Sequence, residues 1–132
     1  MRKVPNLTIS AEKVFFIIAK SRQSDSKSTE SDLGSDSNDD VLEVHGKNTD
    51  RSELSGFIRD LNVDEQIDLV ALTWLGRGDG DIDNWHDLRT EASRAHNHRT
   101  GSYLLGTPLL ADYLEEALSQ FGHAFEDFEE HL

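Results

Sequence analysis

The chain of 132 residues has no cysteine. That absence removes disulfide frameworks, thiolate zinc sites and thiol nucleophiles together, and it suits a cytoplasmic protein. Long apolar runs are missing as well. Val14–Ala19 (VFFIIA) is far too short to span a bilayer, and no small-residue cleavage site follows it, so a soluble, untargeted chain is expected. Basic residues are scarce, 13 against 26 acidic, and the net charge of −13 repels polyanions at long range. Nucleic acid is therefore disfavoured as a partner. Catalytic signatures are also lacking: there is no Ser-His-Asp order, no P-loop and no GxGxxG. The GRGDG run at Gly76–Gly80 lacks the preceding strand that a phosphate loop requires. No cofactor is expected.

What the chain does have is concentrated in Asn62–Phe121, which holds both tryptophans and five of the nine glycines. Asn62 and Glu65 have capping-box spacing, and Asp64 and Glu65 suit the positive end of a helix dipole. Ile67, Leu69, Val70, Ala71, Leu72, Trp74 and Leu75 then make a helix apolar on nearly all sides, expected to be central, with Gly76 as its stop. The last helix is expected from Thr107 as N-cap and Pro108 at the first position. Its stripe is Leu109, Leu110, Tyr113, Leu114, Ala117, Leu118 and Phe121, ending at Gly122. Asp50–Leu61 is amphipathic through Leu54, Phe57, Ile58 and Leu61, and only Asn62 separates it from the next helix. Asp81 or Asp83 caps a helix reaching about Asn97, with Trp85, Leu88, Ala92 and Ala95 inward. A short helical turn within His98–Gly106 follows, and Phe125, Phe128 and Leu132 suggest a docked or fraying tail.

Upstream, Ser10 caps a helix over Ala11–Gln23 with Val14, Ile17 and Ile18 on one face. Ser24–Asp40 contains six Ser and five Asp but a single Leu, too little apolar surface to offset the entropy of ordering. Val41–Val44 alternates enough for a short strand, with no second strand to pair with it. Charge is split along the chain: residues 1–22 carry +4 and residues 62–132 carry −11, so the first helix and the core are electrostatically complementary.

The phrases DEQIDLVALTWLGRGD (Asp64–Asp79) and RTGSYLLGTPLLADYLEEAL (Arg99–Leu118) resemble a family of small bacterial proteins designated domain of unknown function 3775. Leu7–Arg22 and the Asp/Ser-rich spacer suit it too. The resemblance implies a helical domain of this size and carries over no activity, ligand or catalytic residue. Gly101 stands where a better helix former would be expected.

Each candidate for chemistry has a plainer counterpart. Asp79, Asp81 and Asp83 occupy the first, third and fifth positions of a calcium loop, but Asn84 replaces its glycine and Thr90 its bidentate glutamate. Capping of the Trp85 helix explains those acids better. Asp83 and His86 share a helical face, and six histidines are present, yet no paired metal motif is found. Arg89, Arg94, His96, His98, Arg99 and Tyr103 form the core's one cationic cluster, readable as a nucleic-acid contact or as intramolecular pairing with neighbouring acids. Trp74 and Trp85 flank the Gly76–Asp83 turn and line either a pocket or the core.

The expectation is an all-α compact bundle of about five helices. Residues 1–23 form a helix packed on the core, 24–49 a disordered acidic Ser/Asp-rich tether, and 50–132 the helical core with a short acidic tail. The leading function is a non-enzymatic protein–protein interaction or self-association module. The ligand or interaction candidates are Trp74, Arg77, Asp79, Trp85, Arg99, Tyr103, Leu110 and Tyr113. The alternatives are a small-molecule or metal site at the Gly76–His86 turn, and a nucleic-acid contact through Arg89–Arg99. A homodimer is possible because the last helix's stripe is wider than one neighbour covers, unless the basic N-terminal helix covers it.

Overall fold

A computed structural model describes residues 5–34 and 49–123, with backbone alone for 24–34, 49 and 50. The described residues hold six α-helices and no strand: α1 (Ala11–Gly34), α2 (Thr49–Asp60), α3 (Val63–Arg77), α4 (Trp85–Ala95), α5 (Thr100–Leu105) and α6 (Leu110–Gln120). One turn of 3-10 helix, Ile82–Asn84, precedes α4. The acidic tether's residues 35–48, the Val41–Val44 segment and the tail from Ala124 lie outside the described residues.

α3 is the centre. The Asn62–Glu65 capping box forms as its spacing requires: Glu65 N–H donates to Asn62 Oδ1 at 2.8 Å, and Asn62 N–H donates to Glu65 Oε1 at 3.0 Å. Leu69, Val70, Ala71, Leu72 and Leu75 are all buried, because α3 is flanked by α4, α5 and α6. A fully buried leucine contributes about 1.5–3 kcal/mol, so this one helix carries much of the apolar stabilisation. The stop differs from expectation. Gly76 lies within α3, and Gly78 takes the left-handed cap at φ 98°. Gly76 is needed for another reason: a Cβ there would lie 1.8 Å from the Tyr113 carbonyl oxygen, so only a glycine lets α3 and α6 meet backbone to backbone.

The corner between α2 and α3 is as tight as the sequence predicts. Gln66 Nε2 donates to the carbonyls of Ile58 at 2.9 Å and Leu61 at 3.4 Å, satisfying the end of α2. Its Oε1 then faces His96 Nε2 at 2.7 Å, which makes that ring nitrogen the donor. α4 ends at Ala95 and not near Asn97, and Ala95 is exposed. Asn97 N–H donates to Thr100 Oγ1 and Arg99 N–H to Asn97 Oδ1, so side chains rather than α4 serve these amides. The short α5 forms despite Gly101, where an added Cβ would make ordinary contacts with Ile58 and Arg59 of α2 at 3.8–3.9 Å.

α6 also starts later than expected. Thr107 does not cap it: its hydroxyl donates backward to Tyr103 O at 2.8 Å. Leu109 occupies the N-cap at φ 62°, and Leu110 is the first helical residue. The stripe divides accordingly. Leu110, Leu114, Ala117, Leu118 and Phe121 are buried, whereas Leu109 is 58% exposed.

α1 covers that stripe and packs on α2 as well. Ser10 begins it, its Oγ accepting Lys13 N–H at 3.3 Å. Val14, Ile17 and Ile18 are fully buried, and Phe16 packs on Phe57 with ring centroids 4.6 Å apart. α1 continues past the expected end at Gln23 to Gly34, the first glycine of the chain. Its basic residues meet acids on three other helices. Lys13 reaches Glu65 at 2.6 Å, Lys20 reaches Glu53 at 2.9 Å, and Arg22 reaches Glu115 at 2.5 Å and Asp112 at 3.0 Å.

Candidate functional site

Where α3 ends, its side chains meet the turn after α4 and the start of α5. Val70, Trp74 and Arg77 project from successive turns of α3. Ala95, Asn97, Arg99, Thr100 and Tyr103 face them across a cleft of about 320 Å³. Trp74 Nε1 donates to Tyr103 Oη at 2.9 Å across the cleft. Arg77 is held on one side by Asp79, with Nε at 2.8 Å and Nη2 at 2.5 Å from the same Oδ2. Asp79 first, and hydrogen bonding to Tyr103 in addition, raise the Arg77 pKa above the ordinary arginine value. A cleft with one aromatic face, a phenol and two guanidinium groups can hold a flat or apolar body carrying a hydrogen-bond acceptor.

Four of the residues singled out from sequence therefore line one cleft: Trp74, Arg77, Arg99 and Tyr103. Asp79 stands beside it through Arg77. Tyr113 does not line it; its backbone meets Gly76 of α3. Trp85 and Leu110 are elsewhere. Leu110 is buried in the core at 3% exposure. Trp85, at 4%, meets Phe121 edge-on with ring centroids 4.9 Å apart. Its indole N–H is buried with no partner among the described residues.

Around the Gly76–His86 turn and along α4, several charged side chains are engaged in separate contacts. Asp79 binds Arg77, and Asp81 caps the 3-10 turn by accepting Asp83 N–H at 3.1 Å. Asp83 and His86 are exposed, and among the described residues no three His, Asp or Glu side chains gather as a metal would require. The cationic cluster is divided too. Arg89 donates to the buried Asp68 at 2.5 Å, and Arg94 pairs with Glu91 at 3.0 Å.

Asp68 is the residue that sequence reasoning passed over. Its side chain has no solvent exposure. One oxygen accepts the backbone N–H groups of Thr8 and Ile9, the other the Arg89 guanidinium. It ties the segment before α1, and α4, to the middle of α3. Placed among Ile67, Leu69 and Val70, its carboxylate is the one acid in the α3 apolar run, and that was the signal available. Glu65 acts beside it: Lys13 draws its pKa below the ordinary glutamate value against the opposing effect of burial.

Residues 51–123, the stretch from α2 to just past α6, match the family described as "Protein of unknown function (DUF3775)", and the chain belongs to that family. Comparison with curated proteins and with solved structures gave no match. No helix among the described residues is long and apolar enough to cross a membrane.

Proposed function

We propose that this chain is a non-enzymatic interaction module that docks a protein partner on the end of the bundle where α3, α5 and the start of α6 meet. The observation that carries this reading is Leu109. It is 58% exposed, and it holds a backbone conformation, φ 62°, that glycine or asparagine adopts more cheaply. A bulky apolar side chain kept in solvent at a backbone cost of roughly 1–2 kcal/mol is explained by a contact it makes elsewhere. A second exposed apolar side chain, Tyr103, lines the cleft at 42% exposure, where Trp74 donates to its hydroxyl.

Selection from a displayed random-peptide library against the full chain tests it. The expected result is a sequence consensus whose binding weakens about tenfold or more on Leu109→Ser, the usual effect of removing an apolar anchor. Peptides that bind Leu109→Ser as tightly as the parent, or a selection without consensus, reject the reading. Light scattering on both proteins identifies a second copy as the partner if the parent alone gains mass with concentration.

A further inference from the structure

The cleft's hydrogen-bonding groups are filled unequally. The Tyr103 hydroxyl oxygen accepts Trp74 Nε1–H at 2.9 Å. Its own hydrogen has no acceptor among the described residues. Asn97 Oδ1 accepts Arg99 N–H at 2.7 Å, which leaves the Asn97 amide N–H groups outward. Thr100 Oγ1 accepts Asn97 N–H at 3.0 Å, so it too retains a donor. The Arg99 side chain lines the cleft without an ion-pair partner among the described residues, in a protein of net charge −13. Acceptors are consumed internally and donors are left over. Trp74 supplies an apolar wall beside them.

We propose that this cleft is a carboxylate site. It receives an acid with an aromatic or apolar body, the carboxylate accepting from Tyr103 O–H and Arg99 and the body lying on Trp74. A carboxylate fits because it has acceptor positions only, and a guanidinium presents paired donors to it. The volume, about 320 Å³, admits a small aryl acid or the last residue of a peptide. Where the acid belongs to a protein partner the assignment rests on the interaction reading above; the site itself stands on its donors.

The test is a titration of the ¹⁵N-labelled full chain, read by amide and indole N–H signals. The probes are phenylacetate, the neutral phenylacetamide, and a phenylalanine-ending pentapeptide as free acid and as C-terminal amide. Phenylacetate is expected to move the Trp74 indole signal and leave that of Trp85 in place. Phenylacetamide should bind about tenfold weaker, and Arg99→Gln should weaken phenylacetate by a similar factor, the usual loss for a charge-assisted hydrogen bond. Arg99 is exposed and its side chain supports nothing, so the variant keeps its fold. Equal binding of acid and amide, an Arg99→Gln variant with undiminished affinity, or no response at millimolar probe overturns the proposal. Preference for the free-acid peptide upholds it with a protein chain end as the source. Response to phenylacetate alone upholds it with a small acid as the source and removes its support from the interaction reading. Failure of the Leu109-dependent selection leaves these outcomes untouched.

Discussion

Gly76→Ala is the sharpest test of how the bundle is packed. An added Cβ would lie 1.8 Å from the Tyr113 carbonyl oxygen, 2.5 Å from its carbon and 2.8 Å from its Cα. All three atoms belong to backbone, so no side chain can swing aside. To restore an ordinary contact of 3.4 Å, α3 and α6 must part by about 1.6 Å along the interface that buries Leu72, Leu114 and Leu118. Overpacking of a core costs about 1–3 kcal/mol and sometimes more, and a backbone clash belongs at the upper end. Helix propensity opposes this by about 1 kcal/mol in favour of alanine. A net destabilisation of about 2 kcal/mol follows. With a urea dependence of roughly 1 kcal/mol per molar for a domain this small, the midpoint should fall by about 2 M. Gly56→Ala is the control. Gly56 lies inside α2 with nothing within 4 Å of its would-be Cβ, so the same substitution should stabilise by about 0.5–1 kcal/mol. Opposite signs from one chemical change are the prediction. A Gly76→Ala midpoint at or above that of the parent would refute the close approach of α3 and α6.

Asp68→Ala should destabilise by about 3–5 kcal/mol, since it leaves Arg89 and two backbone N–H groups without their shared acceptor; chemical denaturation measures it, and a loss below about 1 kcal/mol would show the carboxylate to be dispensable. The Glu65 carboxyl is held below 4.5 by Lys13, so it stabilises the fold above that pH, and the contribution disappears as pH falls through its lowered value. Stability of Glu65→Gln measured against pH should therefore fall less steeply on the acid side than the parent's, and parallel curves would contradict the linkage. Leu109→Gly should raise the thermal midpoint by an amount equivalent to about 0.5–1 kcal/mol, because glycine relieves the left-handed backbone at φ 62°; an unchanged or lower midpoint would show that leucine is not strained there.

Much of the bundle was legible because its signals are local. The Asn62–Glu65 box, the period of Leu54, Phe57 and Ile58, and the apolar run of α3 all fix elements within one or two turns. The departures arise where distant residues decide. Gly76 reads as a helix stop until Tyr113 is known to lie against it. Gly101 reads as a poor helix former, yet α5 forms where it packs beside Ile58 and Arg59 of α2. Thr107-Pro108 has the right chemistry for a helix start, but Thr107 instead closes the turn behind it through Tyr103. The cleft was half legible. Its aromatic and cationic residues stood out by type, but the Trp74–Tyr103 bond spans 29 positions and depends on where α4 stops. Asp68 was hidden by the same logic, since its partners Thr8, Ile9 and Arg89 are remote in sequence.

The family match begins at Arg51, so α1 lies outside it, and yet α1 completes the core of the matched part. Val14, Ile17 and Ile18 have no exposure, and the α6 residues Leu114, Ala117 and Leu118 have none either. Apolar burial supplies the free energy of this docking, at about 1.5–3 kcal/mol for each large side chain. The charges supply its register instead. Exposed pairs are worth little singly, but Lys13, Lys20 and Arg22 contact acids on α3, α2 and α6 respectively, and a slide of α1 by one turn would break all three sets. Asp68 fixes the approach of the chain just before α1 by holding the Thr8 and Ile9 amides. A helix addressed in this way leaves no apolar stripe on α6 for another chain to cover. The large apolar side chains still exposed among the described residues are Val63, Tyr103 and Leu109, and of these Tyr103 lines the cleft.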